Sequence, residues 1–481
     1  MTDIKKQIRE FESASDLIEP GSDRRHELFQ KVNDYTEEFL QTVNERNAYI
    51  QSGLDGKGIS DAGIHEEGVG IDSILEMYKD NVEQQGISTV SGKFMGYIAP
   101  CSMFYSALGD YIAAITDPFS VDYSASPGAV RMEKTLLDWM ANLVGYPQGA
   151  LGNLASGGSM ATLICLVTAR ESHKLKARDY DKSVVYMTDL THHCFKKGLL
   201  VAGMGECIIR KVAVDEGYRM RADALKECVE KDRERGLLPW LVIGSAGTTD
   251  LGNVDPFEAI ADVAAEQKLW FHIDGAYGGF FVLSDLVKEK FKGMNRSDSI
   301  VMNPHKPLYT PFGLGAALVK NGQQLYEAHH YTASYLQDNY LEQDEVSPAD
   351  LGPELTRHFR ALRLWLPLKL IGVAPFRAAL NEKILLTRYA YERMAAQPGY
   401  EMGPYPELST FAFRVIPEQG DVNEFNRQLI TELRKDGRVF LSSTLLDSNY
   451  MIRVNVLSYR THIEEMDLMI EVLNEMVEKI K

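Results

Sequence analysis

From about residue 150 to 320 the chain repeats one unit: a short apolar run, a tip of glycine or small polar residues, then a helical pattern. The runs include Val184 to Met187, Trp240 to Ile243, Leu269 to Ile273 and Ile300 to Met302. Runs this apolar leave no face for water, so they fit the middle of a mostly parallel sheet covered by helices on both sides. In such a sheet the strand tips meet along one edge, and that edge holds the chemistry. The dinucleotide fingerprint Gly-x-Gly-x-x-Gly follows none of these strands, which disfavours a nicotinamide enzyme.

Two tips carry reactive groups. In Ser299-Ile-Val-Met-Asn-Pro-His-Lys-Pro-Leu308 the strand stops where Asn303 and Pro304 break its pairing, and His305 and Lys306 follow at once. A lysine directly after a buried strand has its ammonium partly desolvated, which lowers its pKa and frees the amine to act as a Schiff-base nucleophile. A lone lysine is ordinarily a solvated one, so this reading needs a partner. Upstream, Leu269-Trp-Phe-His-Ile-Asp-Gly-Ala-Tyr-Gly-Gly279 ends its strand in Asp274, followed by residues, Ala276 among them, too small to block whatever the carboxylate faces. A Schiff-base lysine with an aspartate that keeps a pyridinium nitrogen protonated is the pair that pyridoxal phosphate chemistry requires.

On these motifs the chain resembles the group II amino-acid decarboxylases, the aromatic-L-amino-acid decarboxylase family, from about residue 70 to the end. The resemblance implies an α/β fold of the fold-type I, pyridoxal phosphate-dependent transferase class. Its parts would be an N-terminal helical segment (1–90) that embraces a second chain, a large cofactor-binding domain (91–370) and a small C-terminal α/β domain (371–481). It also implies a homodimer with its sites at the subunit interface and an L-amino acid, most readily an aromatic one, as the small-molecule substrate.

The same resemblance distributes roles. Leu154-Ala-Ser-Gly-Gly-Ser-Met-Ala161 opens a helix, and small residues at a helix start leave backbone N–H groups free for a phosphate. Gly158 and Ser159 would take that phosphate, with Asn303 and His305 closing from the other side. In Thr188-Asp-Leu-Thr-His-His-Cys194 the histidine that stacks on the cofactor corresponds to His192, with His193 as competitor. Ser245 and Thr248 follow the strand at 240 and are candidates for polar contacts to cofactor or substrate carboxylate. Ser91-Gly-Lys-Phe-Met-Gly-Tyr-Ile-Ala-Pro100 matches a segment lining the substrate side, with Tyr97, Ile98 and Pro100 in place. An aromatic, apolar lining suits an aromatic side chain. Tyr335, ahead of Tyr331 and Tyr340, matches the tyrosine of a loop that protonates the substrate's α-carbon. Arg131, where the family often has a neutral or acidic residue, is the one hint of an acidic substrate.

The remaining sequence adds boundaries. A formal net charge of −17 over 481 residues argues against nucleic-acid or anionic-membrane surfaces, which need clustered positive charge. The cysteines, Cys101, Cys165, Cys194, Cys207 and Cys228, form no Cys-x-x-Cys pair, so no zinc site is indicated and the reading is of reduced thiols in a cytoplasm. No apolar run suits a signal peptide or a membrane span. Leu28, Val32, Tyr35, Phe39 and Val43 predict a helix within 22–49, with Ser22 and Asp23 as cap candidates, and 52–70 reads as a loop. A helix is expected to end near Val144, and the stretch Glu354–Trp365 is expected to start another. Strands are expected at 410–415, 438–441 and 451–456, and a last helix at 463–480. His65-Glu-Glu-Gly lacks a second histidine and Gly53-Leu-Asp-Gly-Lys57 lacks the spacing of a phosphate loop, so neither is a site. An aldehyde synthase or an acidic amino-acid decarboxylase of the same family are the alternatives. A degenerate binding protein is disfavoured by the presence of Lys306, Asp274 and His192 together.

Overall fold

The computed structural model describes residues 2–51, 53, 55–331 and 345–481. It begins with two helices, Thr2–Ser15 and Ser22–Thr42. The first was not expected, because its charged residues hide a thin apolar stripe of Ile4, Ile8 and Phe11. The second stops short of 49, and Gly21, in extended conformation, occupies the cap position that Ser22 and Asp23 were expected to fill. Past that helix, β1 (Tyr49–Ile50) pairs antiparallel with β2 (Gly86–Ile87). A short helix, Lys57–Ala62, interrupts the stretch read as loop. Ile4, Ile8, Phe11 and Phe29 are all more than half exposed, so this end of the chain presents an uncovered apolar face.

The central sheet has seven strands: β3 (Leu151–Ala155), β4 (Ser183–Met187), β5 (Ile208–Lys211), β6 (Leu238–Ser245), β7 (Trp270–Gly275), β8 (Ser299–Met302) and β9 (Gly315–Val319). Their spatial order is β3-β9-β8-β7-β6-β4-β5, and β9 alone runs against its neighbours. Alternation along each strand splits the interior in two. Val184 and Tyr186 of β4 enter one core with Phe257, Phe280 and Leu308. Val185 and Met187 enter another with Phe195, Ile164 and Trp240. Helices Pro127–Val144, Gly158–Ser172 and Phe257–Gln267 are among those that cover the sheet.

A second sheet follows, built of β10 (Tyr400–Met402), β11 (Thr410–Val415), β12 (Ser442–Leu446) and β13 (Asn449–Asn455) in the antiparallel order β10-β11-β13-β12. The last helix spans Ile463–Ile480 as expected, and Met466, Ile470, Leu473 and Val477 are buried in the core it shares with this sheet. Residues 438–441 form no strand. Phe440 there makes a single parallel bridge to Phe94, and the strand begins only at Ser442. The helix expected from Glu354 begins at Leu362. Ahead of it the side chains serve tertiary contacts: Arg357 pairs with Glu133 and bonds the Leu154 carbonyl, and Arg360 bonds that carbonyl and Glu354. No helix among the described residues is long and apolar enough to cross a membrane.

Candidate active site

The tips of β7 and β8 are hydrogen-bonded neighbours, with Asp274 in register with Val301 and Gly275 with Met302. This adjacency brings Asp274 and Lys306 to one cleft, of about 590 Å³ with its open mouth included. Burial lowers the pKa of the Lys306 ammonium, and the Asp274 carboxylate works in the opposite direction. His192 lines the same cleft, whereas His193 is exposed and does not line it. Burial also lowers the pKa of His192. Its Nδ1 accepts a bond from the Cys194 backbone N–H at 3.3 Å, which fixes the ring's setting.

The same cleft also presents groups whose chemistry suits an anion. Helix Gly158–Ser172 starts with no side-chain cap, after Gly157 at φ 145, a conformation that L side chains rarely adopt. Gly158 and Ser159 line the cleft beside Asn303 and His305. Asn303 is buried and its Oδ1 has no partner among the described residues. Because the amide's two ends are interchangeable by rotation, that side chain can present a donor to an incoming anion. A side chain on Gly158 would come within 2.6 Å of this amide, so the absence of one keeps the cradle open. Burial pushes His305 down to about 4, and its Nδ1 donates to the Leu314 carbonyl at 2.5 Å. Free helix N–H groups, an orphaned buried amide, a lysine with a lowered pKa and a facing carboxylate fit the phosphate, aldehyde and ring nitrogen of pyridoxal phosphate.

The other expected residues divide. Ala276 lines the cleft, and its N–H donates to Asp274 Oδ1 at 3.1 Å. Ser245 does not line it. It lies beside Asp274 in the sheet but is buried, with its N–H bonded to Asp255 at 2.7 Å. Thr248 is turned to Asn253 at 3.1 Å, and the flanking Gly247 and Thr249 line the cleft instead. Tyr97, Ile98 and Pro100 do not line this cleft in the single chain. Tyr97 is exposed with its ring edge on Phe440, Ile98 packs against the main core, and Pro100 is buried. Arg131 pairs with Glu345 at 3.0 Å and lies over the Tyr123 ring, outside the cleft. Tyr335 and Tyr340 lie outside the described residues, and Tyr331 is exposed.

Sequence reasoning missed Thr162, Cys194 and Tyr277, which complete the lining. Cys194 and Tyr277 sit two and three positions past His192 and Asp274, so proximity in sequence was the only available signal. Tyr277 reaches across to the second sheet, where its hydroxyl meets Ser409 at 2.6 Å and Thr410 at 3.1 Å.

A lysine and an aspartate on adjacent strand tips, opposite a phosphate cradle, define a pyridoxal phosphate enzyme built on a mostly parallel sheet. The chain belongs to the pyridoxal-dependent decarboxylase family, whose conserved domain matches residues 57–416. It is a pyridoxal phosphate-dependent amino-acid decarboxylase. An aromatic-L-amino-acid decarboxylase of Bacillus atrophaeus is 32% identical over 84% of this chain and 85% of its own length. A phenylacetaldehyde synthase of Arabidopsis thaliana is 26% identical over 92% of this chain and 94% of its own. Among solved structures, Oryza sativa TDC with pyridoxal phosphate and tryptamine superposes with a TM-score of 0.89 at 23% identity, covering 96% of this chain and 99% of that one.

Proposed function

We propose that the chain decarboxylates an aromatic L-amino acid to the amine and carbon dioxide, and that it works as a homodimer. The observation that carries this is the meeting of Lys306, Asp274 and His192 in one cleft opposite the Gly158–Asn303 cradle. Pyridoxal phosphate bound there supplies the sink for the electron pair left when carbon dioxide departs. Gly158, Ser159, Asn303 and His305 hold its phosphate. Lys306 offers an amine whose proton burial has loosened, and Asp274 holds a proton at the pyridine nitrogen. His192 would stack on the cofactor ring and exclude water, and Ala276 would contact it. Tyr335 delivers a proton to the substrate's α-carbon, as general acid catalysis requires.

Placement of the substrate ring near Tyr97, Ile98 and Pro100 is supported by Arg453, whose guanidinium bonds both the Gly96 carbonyl at 3.0 Å and the Thr249 carbonyl at the cleft rim at 2.9 Å. The pairing of Arg131 with Glu345, outside the cleft, supports the aromatic reading over the acidic one. The uncovered apolar face of the N-terminal helices supports a second copy. The core that the second sheet shares with the last helix, distinct from the core of the central sheet, supports a small C-terminal domain beside a large one. All five cysteines are free, which supports a reducing, cytoplasmic setting.

The test incubates the holoenzyme with a panel of L-amino acids and follows carbon dioxide, amine, ammonia and peroxide. Carbon dioxide and amine from aromatic substrates without peroxide is the expected result. Ammonia and peroxide in step with carbon dioxide would make the chain an aldehyde synthase, the activity named for the Arabidopsis relative. Turnover confined to acidic substrates would overturn the aromatic assignment.

A further inference from the structure

Tyr277 lines the cleft, yet the proposed reaction gives it no task. Its hydroxyl is engaged by residues that do not line the cleft, at the start of β11. It meets Ser409 Oγ at 2.6 Å and Thr410 Oγ1 at 3.1 Å, and it accepts the Ser409 backbone N–H at 3.1 Å. Tyr277, Ser409 and Thr410 are all buried, as is Asn455 of β13, whose Nδ2 donates to Thr410 Oγ1 at 2.6 Å. The phenol thus both donates and accepts, and both bonds go to the second sheet, which fixes where the ring stands. The packing leaves little slack: a Cβ on Gly247, which lines the same cleft, would lie 2.9 Å from the Tyr277 Cδ1.

What the ring holds is the turn that carries Asp274. That turn, Asp274 to Gly278, is bonded to the residue after β6 through backbone: the Ala246 N–H donates to the Asp274 carbonyl at 2.8 Å, and the Gly278 N–H to the Ala246 carbonyl at 2.9 Å. Between those ends the Ala276 N–H donates to Asp274 Oδ1 at 3.1 Å and sets the direction of the carboxylate. This N–H belongs to the residue before Tyr277, so ring and carboxylate are joined through one peptide. Gly275, Ala276 and Gly278 carry no polar side chain, which leaves the Tyr277 hydroxyl as the side-chain anchor of the turn to the second sheet. We propose that Tyr277 is a positioning residue of the decarboxylase site: anchored to Ser409 and Thr410, it holds the turn in which the Ala276 N–H aims the Asp274 carboxylate at the cofactor's ring nitrogen. This deepens the reading of Asp274 as the partner of that nitrogen and rests on it. A bond between a carboxylate and a pyridinium is charge-assisted and depends on its geometry, and a site residue is held only as well as the residues behind it.

The experiment titrates the full chain, stripped of cofactor, with pyridoxal phosphate and with its 1-deaza analogue, in which a carbon replaces the ring nitrogen and leaves Asp274 nothing to hold. Binding is followed by tryptophan fluorescence. The wild type is expected to bind pyridoxal phosphate roughly ten- to a hundredfold more tightly than the analogue, the range of a charge-assisted hydrogen bond. Tyr277→Phe keeps the ring and removes the hydroxyl. In that variant the ratio is expected to shrink about three- to tenfold, through weaker binding of pyridoxal phosphate and unchanged binding of the analogue. In an Asp274→Asn background the same substitution should leave the ratio where it is. A wild-type ratio in Tyr277→Phe overturns the proposal, whatever happens to the thermal midpoint, because a merely structural anchor would weaken both cofactors alike. Should Tyr277→Phe fail to fold, Ser409→Ala with Thr410→Val decides on the same ratio, since it keeps the phenol and removes the two hydroxyls that meet it. Failure of the Asp274 assignment is distinguishable: the wild type would then bind the two cofactors equally, and the proposal would fall with it.

Discussion

Gly158→Ala is the sharpest perturbation of the anion cradle. The added Cβ would lie 2.6 Å from Asn303 Nδ2, 3.3 Å from its Oδ1 and 3.4 Å from its Cγ. The amide is the free end of its side chain, so it yields to the Cβ by shifting within the cleft that it lines. Asn303 is also almost fully buried and sits between a strand end and a proline. Overpacking of this kind costs about 1–3 kcal/mol. Here it falls on the binding of the phosphate, so the cofactor Kd should rise by roughly one to two decades. The assay is titration of cofactor-free enzyme with pyridoxal phosphate, followed by visible absorbance, alongside the same titration with pyridoxal, which lacks the phosphate. The variant should lose affinity for the former and keep it for the latter, with its thermal midpoint little changed. An unaltered Kd for pyridoxal phosphate would refute the cradle, and equal losses for both ligands would show that the damage lies elsewhere.

Two further outcomes follow from buried charge. Glu133 and Arg357 form an ion pair with side chains 4% and 2% exposed, and both also bond the backbone of Leu154 at the end of β3. Glu133→Ala leaves a buried guanidinium unpaired and should cost about 3–5 kcal/mol in urea unfolding, while Glu133→Leu with Arg357→Met should recover most of it. Burial pushes the His272 imidazole down to about 3, so the folded chain refuses a proton that the unfolded chain accepts below about 6.5. The unfolded state binds more protons as pH falls from 7 to 5, so stability drops with acid, and this group contributes about 2 kcal/mol of that drop. His272→Phe should flatten the urea midpoint between those pH values by that amount.

Much of this was legible in the sequence because strand ends are legible. Asp274 and Lys306 each follow an apolar run too hydrophobic to be an edge, and the break at Asn303-Pro304 fixes where the second run stops. The last helix was readable for a similar reason, since Met466, Ile470, Leu473 and Val477 keep helical spacing and all are buried. What failed depended on tertiary partners. Arg357 and Arg360 look like good helix formers, and they hold the chain out of a helix because Glu133 and the Leu154 carbonyl claim them. Ser245 and Thr248 looked like site residues because they are polar at a strand tip. Their bonds to Asp255 and Asn253 are internal to the turn, and Gly247 and Thr249 are left to face the cleft. The N-terminal helix escaped notice because its thin apolar stripe lies among charged residues and stays exposed among the described residues.

The most direct test of the account is reduction of the cofactor-loaded enzyme with borohydride followed by peptide mapping. A pyridoxyl group on Lys306, absent from Lys306→Ala along with the visible absorbance of the holoenzyme, is the predicted result. A pyridoxyl group on another lysine, or a reducible adduct that persists in Lys306→Ala, would contradict the assignment from which every other role in the cleft has been placed.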